Sequence, residues 1–323
     1  MYGFGDSLTD VTNSNSAFPD KFQRSEMDPY DVTFPMHAAD RYTDGKMFID
    51  FLAFGVRMRP NYAILRSTAR DFTYGSNFAA SGGSARPVKV WNTGDKFSTP
   101  FSLDVQQQWF QSLYDKKLTV SLTWKIVPEV VKAIEEHIEK MLAVVEFTPL
   151  GFPTMLMPLA KEILIQNQPP LGCMPAMLTV HGGSHATYDE YAHNKLLGER
   201  VDALRQKYPA AKLYYADVYG VYKDMLKKPA QYNVTAPLQA SCGAGGKYNF
   251  NKDVWCGESG VVEGKFVNLT STHSADPAGV LSLDDIHTSN MVNKATAFLK
   301  GKHIFPEDSL KCSPDFTFWD IMM

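Results

Sequence analysis

Two short stretches of the chain carry residue types that together could attack an ester. "MYGFGDSLTD" sets Ser7 behind Gly5 and Asp6, and "LSLDDIHTSN" sets His287 three residues after Asp284 and two after Asp285. A serine hydroxyl attacks a carbonyl carbon when a base takes its proton and a third group holds that base in the right tautomer. In a turn, a three-residue offset brings a carboxylate against an imidazole, so Asp284 and His287 fit the second and third roles. The charge that develops on the attacked oxygen needs N–H donors, which a glycine-rich turn supplies; "NFAASGGSA" offers Gly82 and Gly83. Each stretch also has a plainer reading. Ser7-Leu8-Thr9-Asp10 fits a Ser/Thr-x-x-Asp/Glu helix cap, His287 could be a loop histidine between acidic neighbours, and the glycines could only turn the chain. Asp284 and Asp285 make a poor carboxylate pair for sugar cleavage, because adjacent residues rarely face each other across a sugar.

The bulk composition narrows the classes. With 323 residues, 44% hydrophobic and 21% charged, the chain is expected to fold as one domain over residues 1–323. A net charge of −3 with both signs interspersed gives no field for nucleic acid. The most apolar run, Val144 to Ala160, is broken by Glu146, Pro149, Pro153 and Pro158, so no transmembrane segment is expected. Gly5 and Asp6 interrupt any apolar stretch at the start, so no secretion signal is expected in the chain as given. The four cysteines show no zinc-site spacing, and the glycine runs lack the dinucleotide and Walker patterns; no metal and no nucleotide cofactor are expected. Cys242 and Cys256, in "SCGAGGKYNFNKDVWCG", are either a short-loop disulfide or two free thiols. Asn233-Val-Thr and Asn268-Leu-Thr are N-glycosylation sequons.

The elements that must position these residues follow from periodicity and punctuation. Helices are expected from Met47 through Ala53, over Phe101 to Tyr114 with Ser102 as N-cap, from Val127 to Leu142 with a Glu136–Lys140 pair on its outer face, and over Tyr188 to Tyr208. Strands are expected at Phe72 to Phe78, at Ile163 to Ile165 and in "KLYYADVYG", with Asp217 near the last one's carboxyl end. The stretch "VVEFTPLGFPTMLMPLA" suits neither element and is expected as a partly apolar surface loop. Helix-then-strand order predicts an α/β fold with a mostly parallel sheet, whose chemistry gathers at the carboxyl ends of the strands.

Taken in order along the chain, "FGDSLTD", "NFAASGGSA", "PPLGC", "YADVY", "CGAGGKYNFN" with its following "CG", and "LDDIHTSN" resemble the sequence blocks of the plant GDSL esterase/lipase family, within the SGNH hydrolase superfamily. The resemblance extends discontinuously over most of the chain. It implies a flavodoxin-like, three-layer α/β/α domain with a mostly parallel central sheet in the order 2-1-3-4-5, here with its first strand cut short before Gly5. It implies Ser7 as nucleophile, His287 as general base and acid, Asp284 as the group that orients His287, and the N–H groups of Ser7 and Gly82 as the oxyanion hole. The reaction implied is two-step acyl transfer to water without a cofactor, on small-molecule carboxylic esters from short acyl esters to lipids. Secretion is implied as well, and a monomer is the expected state.

The chain departs from the family pattern in two places. The third block, Gly-x-Asn-Asp, whose asparagine supplies a further oxyanion donor, is not found between about residues 115 and 127, where "DKKLTVSLTWKIV" stands. An irregular apolar insertion occupies 144–160. These departures carry the alternative expectation of a catalytically impaired relative, or a truncated gene product, that at most binds acylated ligands.

Overall fold

The computed structural model describes residues 1–36, 39–66, 75–87, 99–114, 127–142, 144–147, 155–158, 162–181, 190–271 and 279–298. Nine α-helices occur among them: α1 (Asn13–Ala17), α2 (Pro19–Phe22), α3 (Phe48–Gly55), α4 (Leu103–Tyr114), α5 (Val127–Leu142), α6 (Pro175–His181), α7 (Glu190–Lys207), α8 (Val218–Lys227) and α9 (Asn290–Phe298). Six strands form three two-stranded sheets: β1 (Val144–Phe147) with β2 (Met155–Pro158), β3 (Glu162–Gln166) with β4 (Lys212–Ala216), and β5 (Ser259–Val262) with β6 (Lys265–Asn268).

The parallel pair β3–β4 shows how the layers arise. Side chains alternate across a strand. Ile163, Ile165, Leu213 and Tyr215 accordingly join Val131, Ile138 and Leu142 of α5 and Leu197, Val201 and Leu204 of α7 in one apolar cluster. Leu164 and Ala216 meet Phe48, Phe51 and Leu52 of α3 and Ala297 of α9 in another. Helices therefore cover both faces of this strand pair. The pairing register is Ile163 with Leu213 and Ile165 with Tyr215, which sets these four side chains on one face. The buried stripe Leu197, Val201 and Leu204 follows the helical repeat, and Arg205 and Lys207 in the last turn of α7 complement its carboxyl-terminal dipole. At the end of β4, Asp217 caps α8 by accepting from the Gly220 N–H at 2.8 Å.

Several sequence expectations need correction. In the segment read as a surface loop, Val144–Phe147 and Met155–Pro158 pair as antiparallel strands. Ser102 accepts the first backbone bond of α4, from the Gln106 N–H at 3.0 Å, but its buried hydroxyl has no hydrogen-bond partner among the described residues and so does not cap. Glu136 pairs with Lys132 and Arg86, and Lys140 with Asp104, in place of the expected Glu136–Lys140 pair. No strand forms at 75–78; Asn77 makes isolated parallel bridges to Gly3 and Ala63. The first part of that expected strand, the start of the helix expected at Tyr188, and the stretch from 115 to 126 where the third block would stand all lie outside the described residues. No described helix is long and apolar enough to cross a membrane.

Candidate active site

The amino terminus runs alongside the segment 76–80 as a short parallel ladder. The Gly3 N–H donates to the Ser76 carbonyl at 3.1 Å, Phe78 N–H to Gly3 at 2.8 Å, and Ala80 N–H to Gly5 at 3.1 Å. On the other edge of Gly5 no strand is needed, because the fully buried Gln106 side chain of α4 takes its place. The Gln106 amide accepts from the Gly5 N–H at 2.9 Å and donates to the Gly5 carbonyl at 2.8 Å and the Phe101 carbonyl at 2.9 Å. Gly5 also holds φ at 140°, which a side chain would oppose, and the chain turns sharply into Asp6 and Ser7.

That turn is capped by Asp6, not by Ser7. The Asp6 carboxylate accepts from the Leu8 N–H at 3.0 Å, and its carbonyl accepts from Thr9 and Asp10. Asp10 then accepts from the N–H groups of Thr12, Asn13 and Ser14 and from both the N–H and hydroxyl of Ser81. Asn13 bonds the carbonyls of Asn77 and Ala79, and Asn77 that of Thr9. This buried polar network ties the Ser7 turn to the glycine turn at 81–83 and leaves the Ser7 hydroxyl uncommitted to capping.

The hydroxyl is instead engaged across the chain: Ser7 Oγ lies 2.8 Å from His287 Nε2. His287 Nδ1 lies 2.8 Å from Asp284 Oδ2. Asp284 Oδ1 accepts from the N–H groups of Ile286 and His287, which folds the loop into a tight turn. The loop is closed at its base by the Leu283 N–H donating to the His287 carbonyl at 2.9 Å and by Ser289 to Leu281 at 2.9 Å. Outside it, Cys242 N–H donates to the Leu283 carbonyl at 2.7 Å, and Cys242 is joined to Cys256 by a disulfide with a Cα–Cα distance of 5.5 Å.

Electrostatics fix the protonation states. Burial by itself lowers the His287 pKa, but the bonded Asp284 carboxylate and the nearby Asp285 outweigh it, so the imidazole sits above its ordinary value. Burial works to raise Asp284, yet His287, the Tyr30 hydroxyl and the backbone donors hold it well below the usual carboxylate range. Asp285, buried beside that charge, is pushed up to about 7. With Asp284 ionised, Nδ1 carries the proton and donates to it, so Nε2 is left to accept the Ser7 hydroxyl proton.

Gly82, φ 68°, sits in the turn bonded to Asp10 through Ser81, and its carbonyl accepts from the Thr99 N–H at 3.0 Å. Among the described residues, no protein acceptor engages the N–H of Ser7 or of Gly82. Asp284, Asp285 and His287 each bring one ligand-type atom within 4.8 Å of the others. Both Asp284 oxygens and both His287 nitrogens are already bonded as above, so a cation there would have to break the Ser–His–Asp chain. Asn233 ends a short turn and Asn268 ends β6; both are exposed.

Three residues that shape this arrangement were not singled out from the sequence. Tyr30 donates its hydroxyl to Asp284 Oδ2 at 2.6 Å, Tyr42 stacks on the His287 ring at 4.6 Å between centroids, and Gln106 brackets Gly5. The signal for Gln106 was a polar residue between Leu103 and Phe110 on the inward stripe of α4. For the tyrosines it was an aromatic recurring within a polar, turn-rich run that also holds Phe18, Phe22 and Phe34. Gln106→Glu keeps size and acceptor but sets carboxylate oxygens against two carbonyls, so unfolding by urea should show a loss of about 2–3 kcal/mol at neutral pH, smaller in mild acid where the new carboxyl protonates.

No family model matches the chain. Among curated proteins it is 29% identical to a GDSL esterase/lipase of Arabidopsis thaliana, over 96% of this chain and 87% of that one. It is 27% identical to an esterase of Hevea brasiliensis, over 91% and 83%. It is also 25% identical to a protein of Arabidopsis thaliana named alpha-L-fucosidase 3, over 91% and 87%. Further GDSL esterase/lipases of Arabidopsis thaliana match at 26% to 29% identity over nearly the whole chain. The order of the sequence blocks and these matches together make the chain similar to the plant GDSL esterase/lipases over nearly its whole length, a likeness that supports an ester hydrolase at the level of the family.

Proposed function

We propose that this protein is a serine esterase/lipase that cleaves carboxylic esters through an acyl-serine intermediate. The observation that carries the reading is the unbroken chain Ser7 Oγ, His287 Nε2, His287 Nδ1, Asp284 Oδ2, with 2.8 Å at each hydrogen bond, between residues 280 positions apart. In the first step Ser7 Oγ attacks the ester carbon while His287 Nε2 takes its proton. The tetrahedral oxyanion is held by the N–H groups of Ser7 and Gly82, and its collapse expels the alcohol with the proton from His287. Water, deprotonated by the same nitrogen, then releases the acid and restores Ser7.

The remaining expectations join this reading as one proposal. The domain is a single α/β/α SGNH hydrolase unit with the sheet order 2-1-3-4-5; helices on both faces of β3–β4 and the parallel bridge from Gly3 to Asn77 support it. Secretion and glycosylation at Asn233 and Asn268 are supported by their exposure and by the Cys242–Cys256 disulfide. Substrates are small-molecule esters, short acyl or lipid. The fucosidase name of one relative does not carry over. Sugar cleavage by paired carboxylates needs them about 5 Å or more apart with a sugar between, whereas Asp284 is buried and spent on His287 and Tyr30.

The test is covalent. A fluorophosphonate probe should label the folded protein, with the adduct mapped by mass spectrometry to Ser7. An adduct on another residue, or none on folded protein, would reject the assignment, and ester-analogue binding without an adduct would favour an impaired relative.

A further inference from the structure

Behind the Ser–His–Asp chain the rings close a circuit. The Tyr30 ring packs edge-on against Tyr42, with centroids 5.4 Å apart and planes at 75°. Tyr42 lies over His287 with planes 23° apart. His287 bonds Asp284 through Nδ1, and Tyr30 returns to Asp284 through its hydroxyl at 2.6 Å. Asp284 Oδ2 thus accepts from two side chains, while Oδ1 takes the two backbone donors. A carboxylate with no exposed surface needs such donors to stay charged, and the donors fix its plane.

We propose that Tyr30 is a positioning residue for catalysis: its hydroxyl sets the orientation of the Asp284 carboxylate and tempers the charge that His287 feels. This rests on the esterase reading above and goes beyond it, because it assigns a working part to a segment that none of the matched blocks contains. Tyr30 is suited to the task across the working pH range. Burial first, then the neighbouring Asp284 charge, push its phenol well above its ordinary value, so it remains a donor. The hydroxyl's hydrogen partly offsets the Asp284 charge, and removing it leaves His287 facing a fuller negative charge. The other charged and titratable groups around the pair are Arg24, Asp285, Tyr42 and Asp6. Arg24 and Asp285 also interact with Tyr30, and Tyr42 packs on its ring; phenylalanine keeps the ring and removes none of these groups, so the hydroxyl bonded to Asp284 is the one group deleted next to the His287 partner.

The experiment compares wild type, Tyr30→Phe and a protein carrying 3-fluorotyrosine at position 30. His287 is titrated by NMR on isotope-labelled histidine, its signal assigned by loss in His287→Gln, alongside kcat and KM for a short p-nitrophenyl ester. In Tyr30→Phe the His287 titration and the acid limb of kcat/KM should move to higher pH, and kcat should fall about tenfold with KM little changed. The more acidic fluorophenol is a stronger donor and should move both the opposite way. Tyr222→Phe, which deletes a buried hydroxyl bonded to Ser282, should lower thermal stability without moving the titration. An unmoved His287 titration in folded Tyr30→Phe, or in the fluorotyrosine protein should the phenylalanine variant not fold, overturns the proposal. The titration can be read whether or not Ser7 reacts, so loss of the esterase reading and loss of this proposal give different results.

Discussion

Ser7→Ala is expected to fold with near-native stability and to lose about 10⁶-fold in kcat for ester hydrolysis, the loss that removal of the nucleophile causes in a serine hydrolase. The two halves of this expectation have separate causes. Stability is spared because the turn after Gly5 is capped by the Asp6 carboxylate and braced by Asp10, Asn13 and Asn77, none of which bonds the Ser7 hydroxyl. Activity is lost because no other described hydroxyl lies on His287 Nε2. Members of such a unit act together, so adding His287→Ala to Ser7→Ala should cost almost nothing more. Progress curves at high enzyme concentration, with thermal melts of each variant, measure both halves. Activity within tenfold of wild type would show that Ser7 is not the nucleophile, and a collapsed melt would show that the serine braces the turn after all.

What could be read from the sequence was what is encoded locally. Ser7, Gly82, Asp284 and His287 stand in short blocks, and the Asp284–His287 contact spans three residues. The stripes of α5 and α7 repeat every three to four positions, so these helices and the parallel strands β3 and β4 were legible. The antiparallel pair Val144–Phe147 and Met155–Pro158 was not, because prolines within an apolar run argue against both regular elements and pairing partners decide the outcome. Helix α8 was hidden because Val218, Val221, Tyr222 and Met225, though helically spaced, follow directly on an aromatic strand. Tyr30 lies 254 positions from Asp284, and no local pattern records such a meeting. The plain cap reading of Ser7 was a local inference that failed for a local reason: Asp6, one residue earlier, is the better acceptor for the first free N–H.

Asp284→Asn should lower kcat by about 10⁴-fold while leaving the fold intact, the effect of the same change in serine hydrolases with this triad. An asparagine in this turn can still accept from the Ile286 and His287 N–H groups, but its amide N–H groups would face His287 Nδ1. That nitrogen would then have to accept, the proton would pass to Nε2, and Nε2 would donate to Ser7 instead of taking its proton. The pH dependence follows with a definite sign. In wild type the His287 pKa stands above its ordinary value of about 6.5, so the acid limb of kcat/KM lies above that pH. With the carboxylate gone, burial is the leading influence left and acts to lower it, so the limb should move to lower pH. Stability gives an independent check. The raised His287 contributes stability that is fully present below the unfolded value of about 6.5 and is lost as pH rises through its folded pKa. The depressed Asp284 contributes stability present above its unfolded value of about 3.9 and lost only as pH falls through its folded pKa. The two describe one coupled interaction, fully formed between about pH 4 and 6.5. Thermal melts of wild type and Asp284→Asn should therefore differ most inside that window and converge as pH rises beyond the His287 pKa. A difference in melting temperature that grows above neutrality would mean that the histidine is not held by this carboxylate.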